Sequence, residues 1–345
     1  MQNIAVSKLE KFSEQIIHGG NLHEAIRRYG FPYEHWIDLS TGINPIGYPI
    51  PYVPTEVWHH LPDEEDRLLL GCAAKYYNIT NIANVLPVAG SQAAIRALPG
   101  LLPPDVVGIA PVTYSEYAPA FKRYGHSTES FDIQDNILKS TIRYVIVGNP
   151  NNPTTDQISI DRLLCWYAQI SKRGGTLIVD EAFSDINTKD SLSPYIGHSG
   201  LIVLRSVGKF FGLAGIRSGF VLANEQLITE LRDTLGMWTV SGPARYVVIK
   251  ALTDIKWQNV AKRRLIDDSE RLSVLLKGYG FAVRSTLLFS WITDPRAAIL
   301  HSTLATHGIW TRRFLKPSSI RIGLPANKKQ WQRLINSLEA YISKM

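Results

Sequence analysis

Between about residues 85 and 235, short β-branched apolar runs alternate with stretches of helical period, the pattern of a sheet covered by helices. The clearest predicted strands are Val106 to Ala110, Tyr144 to Val147, Thr176 to Val179, Leu201 to Leu204 and Gly219 to Leu222. Each is almost continuously apolar, as a strand covered on both faces should be. Between them, Ser91 to Leu102 and Ser159 to Arg173 place apolar residues three and four apart. The second opens on Ser159 and closes at Gly174 and Gly175, as a capped helix does. A three-layer α/β core follows. After Gly236 the pattern changes. Pro243 to Thr253 and Gln258 to Lys277 predict long helices, Phe281 to Ile292 and Ser319 to Ile322 short strands, and Ala326 to Ser343 a last helix, together a smaller α+β domain. The segment before residue 45 is richer in His, Gly and aromatics. Asn44-Pro45-Ile46-Gly47-Tyr48-Pro49 ends it as a loop that can continue neither a helix nor a central strand. The expected organisation is an arm over residues 1–44, a large domain over 45–240 and a small domain over 241–345.

Composition narrows the class. A chain of 345 residues, 45% hydrophobic and 19% charged, is a globular protein of one or two domains and not a disordered one. No run of about 18 apolar residues occurs, and the opening MQNIAVSKLEKFSEQ has neither an apolar core nor a small-residue cleavage site, so neither a membrane span nor secretion is expected. Only Cys72 and Cys165 occur, without CxxC or Cys/His grouping, which excludes a disulfide framework and structural zinc and suits the cytoplasm. The formal charge of +7 invites a nucleic-acid reading. The basic pairs (Lys122/Arg123, Arg263/Arg264, Arg312/Arg313, Lys328/Lys329) are scattered, however, and small anionic ligands explain the excess without a nucleic-acid partner.

Four features carry chemistry. Ser206-Val207-Gly208-Lys209, continuing to Arg217-Ser218-Gly219, follows a buried strand. A poorly hydrated lysine there can have its pKa lowered and form an imine with an aldehyde cofactor, with Ser206 and Arg217 near enough in sequence to hold a phosphate. Alone, it is equally a glycine-rich loop with a solvated lysine. Asp180-Glu181 leaves the end of another buried strand. Magnesium binding in a nucleotide hydrolase would need GxxxxGK[ST], but Val203 stands where the first glycine belongs and Phe210 follows Lys209. A strand-end aspartate can instead pair with a protonated pyridine nitrogen or simply cap the next segment. Gly148-Asn149-Pro150-Asn151-Asn152-Pro153-Thr154 is a rigid loop that presents an amide, and Ala89-Gly90-Ser91-Gln92 opens a helix where unpaired N–H groups can seat a phosphate or merely form a cap.

Taken along the chain as phosphate seat, Asn-Pro loop, strand-end Asp and imine-capable Lys, each at a strand end or helix start, the four features resemble the fold type I pyridoxal-phosphate enzymes of the class I/II aminotransferase family, from about residue 18 to 325. The resemblance implies a mixed, mostly parallel seven-stranded sheet in an αβα sandwich plus a smaller α+β domain, pyridoxal 5'-phosphate as cofactor, and a homodimer. It implies Lys209 as the lysine that carries the cofactor and Asp180 as the partner of its pyridine nitrogen. Asn152 would donate to its ring oxygen, Tyr114 would stack on the ring, and Gly90, Ser91, Gln92, Ser206 and Arg217 would hold its phosphate. Arg321 matches the arginine for a substrate α-carboxylate. Three positions depart from the family pattern: Phe183 and Leu61 replace tyrosines, and Thr155 replaces a glycine.

The arm narrows the reaction. His18-Gly19-Gly20-Asn21 and Asp38-Leu39-Ser40-Thr41-Gly42-Ile43-Asn44-Pro45 resemble the branch that decarboxylates L-threonine O-3-phosphate in cobalamin biosynthesis. The alternative is histidinol-phosphate or another amino-acid aminotransferase, sharing every cofactor residue. A phosphorylated substrate needs a second anion site, for which His18, Gly19, Asn44 and Arg312 are the candidates beside Arg321. The order of Arg312 and Arg321 between carboxylate and phosphate is left open.

Overall fold

The structure, a computed structural model, describes residues 18–63, 66–186 and 190–343, so residues 1–17 of the expected arm lie outside the described residues. A two-residue strand β1 (Ile37–Asp38) precedes the large sheet. That sheet comprises β2 (Val85–Val88), β3 (Val106–Ile109), β4 (Ser127–Ser130), β5 (Tyr144–Gly148), β6 (Thr176–Asp180), β7 (Leu201–Ser206) and β8 (Gly219–Leu222), in the order β2-β8-β7-β6-β5-β3-β4. The strands from β7 through β4 are parallel neighbours, and β8 runs antiparallel to both β7 and β2. The five predicted strands are all present.

The two edges, β2 and β4, had no clear apolar signal, for physical reasons. β2 contains Pro87, tolerable on an edge, and β4 reads Ser-Thr-Glu-Ser with a partly solvated face. Along the central strands successive side chains enter opposite cores. Tyr144, Ile146, Ile178, Ile202 and Leu204 pack under the helices Ser91–Ala97 and Glu225–Leu235. Val145, Val147, Leu177, Val179, Leu201 and Val203 pack under Ile160–Ser171. Full burial of each such side chain stabilises the fold by ~1.5–3 kcal/mol. The predicted helix Ser91 to Leu102 is α-helical only to Ala97 and continues as a 3-10 turn over Leu98–Leu101, because Pro99 has no N–H to give the helical ladder.

The second sheet is antiparallel, in the order β12-β13-β10-β9, built from β9 (Val283–Ser285), β10 (Phe289–Thr293), β12 (Arg312–Phe314) and β13 (Ser319–Gly323). The short β11 (Ile309–Trp310) pairs in parallel with β1, Ile37 opposite Ile309, so the amino-terminal segment joins this unit. Ala25, Trp36, Ala305 and Trp310 form a small core there. The helix Ile255–Gly278 begins three residues before the predicted Gln258, because Asp254 caps it by accepting from the Trp257 N–H at 2.9 Å. Among the described residues no helix is long and apolar enough to cross a membrane.

The wall behind β6 and β7 is held by buried charge. Arg205 donates to Glu181 and to Asp185 at 2.5 Å, and its guanidinium lies 4.5 Å from the centre of the Tyr77 ring. Glu181 also accepts from the Leu192 N–H at 2.8 Å and the Ser191 hydroxyl. The segment leaving Asp180 is thereby fastened to β7. Removing the cation would strand two carboxylates in a water-free interior. Arg205→Ala is expected to cost about 3–5 kcal/mol of stability, read as a lowered denaturant midpoint.

Candidate functional site

β5, β6 and β7 end together, with Gly148 opposite Asp180 and Ser206 opposite Gly219. Because β8 runs backwards from the end of β7, the turn between them brings Arg217 to the same place. A cavity of ≈ 130 Å³ opens there, and Gly90, Ser91, Gln92, Tyr114, Asn152, Asp180, Ser206, Lys209 and Arg217 all line it. These are the nine positions assigned to the cofactor from the sequence, drawn from five separate segments.

Asp180 is buried. Its Oδ2 accepts from the Tyr117 hydroxyl at 2.8 Å and its Oδ1 from the Ala182 N–H at 3.1 Å. Burial raises its pKa, opposed chiefly by those two hydrogen bonds. Lys209 sits one helical turn past β7. Burial is the largest cause that lowers its amine to about 8, with Arg321, Arg217 and Arg312 adding to the shift and Asp180 opposing it. The turn that holds it is tight: Gly212 has φ +66°, and a Cβ there would stand 2.5 Å from Gly47 Cα and 2.7 Å from Asn44 O. Arg217 is left-handed at φ +51°, and its guanidinium lies against Gly90, where a Cβ would come within 2.7 Å of Nη2.

From the second sheet, β13 supplies Arg321. It donates to Asn152 Oδ1 and, at 2.6 Å, to the Ser40 carbonyl, and its guanidinium lies 5.1 Å from the Phe289 ring centre. Its Nε is buried with no hydrogen-bond partner among the described residues. Arg312, on the unforeseen strand β12, stands directly opposite Arg321 across the sheet. Arg312 is buried over the Phe314 ring at 4.7 Å, and among the described residues no acid pairs with it. Burial lowers both guanidinium pKa values, and the neighbouring Arg312 adds to the effect on Arg321.

His18 Nε2 is 2.9 Å from Glu116 Oε1, and the ring lies beside Tyr114. Gly19 packs so closely on Ser40 that a Cβ would meet its carbonyl oxygen at 2.3 Å and Arg321 Nη2 at 3.3 Å. Asn44 requires a correction. Its Nδ2 donates to the Phe210 carbonyl at 2.8 Å, and its Oδ1 accepts from Arg264 at 2.9 Å and from the Ile46 N–H at 3.1 Å. Its amide braces the loop behind Lys209, and it is a support rather than part of an anion seat.

The departures from the family pattern now have physical content. Phe183 lines the cavity, meets Phe289 edge to face at 5.2 Å, and has the Lys209 ammonium 5.5 Å from its ring centre, so an apolar wall stands where a hydroxyl was expected. Thr155 is left-handed at φ +67°, a conformation a β-branched residue resists. Leu61 is exposed. The sequence reading missed Tyr117 and Glu116. Nothing in their spacing distinguishes them from ordinary helix-start residues, and only the fold brings them to Asp180 and His18.

Lys209 and Arg217 thus line a cavity whose one lining acid among the described residues is Asp180, and Arg312 and Arg321 lie near enough to act on Lys209. Such a donor set fits a ligand bearing a phosphate, an imine-forming aldehyde and a basic ring nitrogen, with further cation capacity for an anionic substrate. The lysine also makes stability depend on pH. Unfolded, it titrates near 10.5; folded, near 8. Between these values the unfolded chain binds the extra proton, so stability rises with pH across this window, while below it the cost of burying the protonated amine is constant with pH. Cofactor-free protein is expected to show a denaturant midpoint that climbs from pH 8 to pH 10 relative to Lys209→Met, in which this contribution is absent.

The aminotransferase class I and II family model matches residues 58–338. A threonine-phosphate decarboxylase of Pseudomonas aeruginosa is 44% identical over 319 residues, covering 92% of this chain and 95% of that protein. One from Sinorhizobium sp. is 40% identical over 330 residues, 94% and 98% of the two chains. Among solved structures, histidinol-phosphate aminotransferase from Sinorhizobium meliloti, in complex with pyridoxal-5'-phosphate, superposes with a TM-score of 0.82 over 96% of each chain at 18% identity.

Proposed function

The chain belongs to the aminotransferase class I and II family, and we propose that within it this protein is a pyridoxal-phosphate-dependent decarboxylase. It converts L-threonine O-3-phosphate to (R)-1-amino-2-propanol O-2-phosphate and carbon dioxide, a step of cobalamin biosynthesis. The observation that carries this reading is the buried pair Arg312 and Arg321, directly opposite one another on β12 and β13 with no acid among the described residues between them. A substrate with a carboxylate on Cα and a phosphate on Cβ offers each guanidinium one anion. The near full-length similarity to two threonine-phosphate decarboxylases supports the same substrate.

Lys209, Asp180, Asn152 and Tyr114 would hold the ring end of the cofactor, and Gly90, Ser91, Gln92, Ser206 and Arg217 its phosphate. When bound there, pyridoxal phosphate would supply an aldehyde for the substrate amine and a sink for the electron pair freed as carbon dioxide leaves. The chain's own residues decide which bond at Cα breaks. Only a bond perpendicular to the ring can release its electrons into it, so the residues that grip the two anions fix the outcome. Arg321, already seated on Asn152 and Ser40, holds the carboxylate, its planar fork matching two oxygens. Arg312 and His18, with the Gly19 backbone, take the phosphate. Asp180 would pair with the ring nitrogen, its Tyr117 and Ala182 hydrogen bonds opposing the effect of burial on the carboxylate. Lys209, with its amine lowered toward neutrality, is placed to return a proton to Cα, closing the balance of one C–C bond broken and one C–H bond formed.

We further propose a homodimer, supported by the exposed apolar run Ile50, Tyr52, Trp58 and Leu61. The domain division at residues 45–240 and 241–345 is likewise a proposal, supported by the separate sheets on either side of it.

Cofactor-loaded protein is expected to release carbon dioxide from L-threonine O-3-phosphate with no keto acid present, and Lys209→Ala to abolish this. Arg321→Ala is expected to lower kcat/KM about 100-fold, the loss of ~2.7 kcal/mol from a two-pronged charged hydrogen bond. Absence of carbon dioxide together with glutamate formation from histidinol phosphate and 2-oxoglutarate would overturn the decarboxylase reading.

A further inference from the structure

We propose that Glu116 is a positioning residue that seats His18 of the arm against the site and thereby sets affinity for the substrate phosphate. The inference rests on the reading above, in which His18 meets that phosphate. Glu116 lies at the start of the helix Tyr117–Lys122, and only 6% of its surface is exposed. Its Oε1 faces His18 Nε2 at 2.9 Å, while Oε2 accepts from Gln92 Nε2 at 2.8 Å and from Arg96 at 3.0 Å. Gln92 in turn accepts the Tyr114 hydroxyl at 2.9 Å. One carboxylate therefore gathers the arm, the helix Ser91–Ala97 and the turn that presents Tyr114.

Burying a carboxylate is costly unless its oxygens are met by donors. Arg96 and Gln92 already satisfy Oε2. The remaining oxygen faces His18, a residue 98 positions away whose other described contact is the Tyr114 ring at 6.2 Å between centres. The next two residues are held from the opposite side. Gly19 lies against the Ser40 carbonyl, and the Gly20 N–H donates to Ser40 Oγ at 2.7 Å. Ser40 is fixed by Asp38 and accepts Arg321 on its carbonyl. The arm thus bridges Glu116 on the large-sheet side and Ser40 with Arg321 on the other. Because a carboxylate only accepts, it places the ring proton of His18 on Nε2 and leaves Nδ1 for a second partner. When His18 is protonated, Nδ1 also donates, giving a carboxylate, imidazolium and phosphate in series.

The test is a double-mutant cycle on binding rather than turnover, in a cofactor-loaded Lys209→Ala background, with L-threonine O-3-phosphate titrated by calorimetry. His18→Ala and Glu116→Ala are each expected to weaken binding about tenfold, and the double variant no more than about tenfold, because Glu116 acts through His18. Affinity for L-threonine, which has no phosphate, is expected to be the same in all four proteins. A double variant weakened about 100-fold would overturn the proposal. So would an unchanged affinity in Glu116→Ala with only a lowered melting temperature, or a parallel loss of L-threonine affinity, which would place the effect on the Tyr114 wall. If Glu116→Ala does not fold, Glu116→Gln, of nearly the same volume, takes its place in the cycle under the same criteria. Carbon dioxide release is measured separately with Lys209 intact, so failure of the decarboxylase reading and failure of the His18–Glu116 coupling give different results.

Discussion

Like charges gathered out of water are the constraint around which the rest of this structure is arranged. Arg312 and Arg321 sit opposite one another on neighbouring strands, where such pairing is unfavourable, and Lys209 and Arg217 approach the same cavity. The fold relieves this only in part. Aromatic faces of Phe314 and Phe289 lie under the two guanidinium groups, and Asn152 and the Ser40 carbonyl take Arg321. An anion that binds the native state alone would offset the remaining imbalance and stabilise the fold.

This places unusual weight on the supports behind the cavity. Arg205, Glu181 and Asp185 lock the segment that follows Asp180, and the Asn44 amide with Arg264 braces the turn that follows Lys209. Neither set touches a ligand-facing surface. Both hold in place a residue whose charge state the chemistry depends on.

The large sheet was legible in the residue pattern because strands buried on both faces are continuously apolar, and the four motifs that meet at the cavity were legible because each sits at a strand end or helix start. What escaped was of two kinds. Edge strands such as Ser127–Ser130, and the short β12 that carries Arg312, pack on one face or are too brief for a period to show. Residues whose role comes from distant partners left no local mark: Tyr117 meets Asp180 across 63 positions and Glu116 meets His18 across 98. Asn44 was misread for the same reason. An Asn-Pro turn after a glycine looks like a free amide until Arg264, 220 residues later, is seen to occupy it.

The parallel pairing of Ile37 with Ile309 has an effect on how the protein is made. During synthesis the strands from Val85 to Leu222 can emerge and assemble as a unit while the second sheet is still untranslated. The stretch around His18 and Ser40, although translated before the large sheet, leads into a strand, Ile37–Asp38, that has no partner until Trp310 has been translated. Assembly of the second sheet's side of the cavity is thus tied to translation of β11, and a chain halted before it would fold most of the large sheet yet leave β1 unpaired.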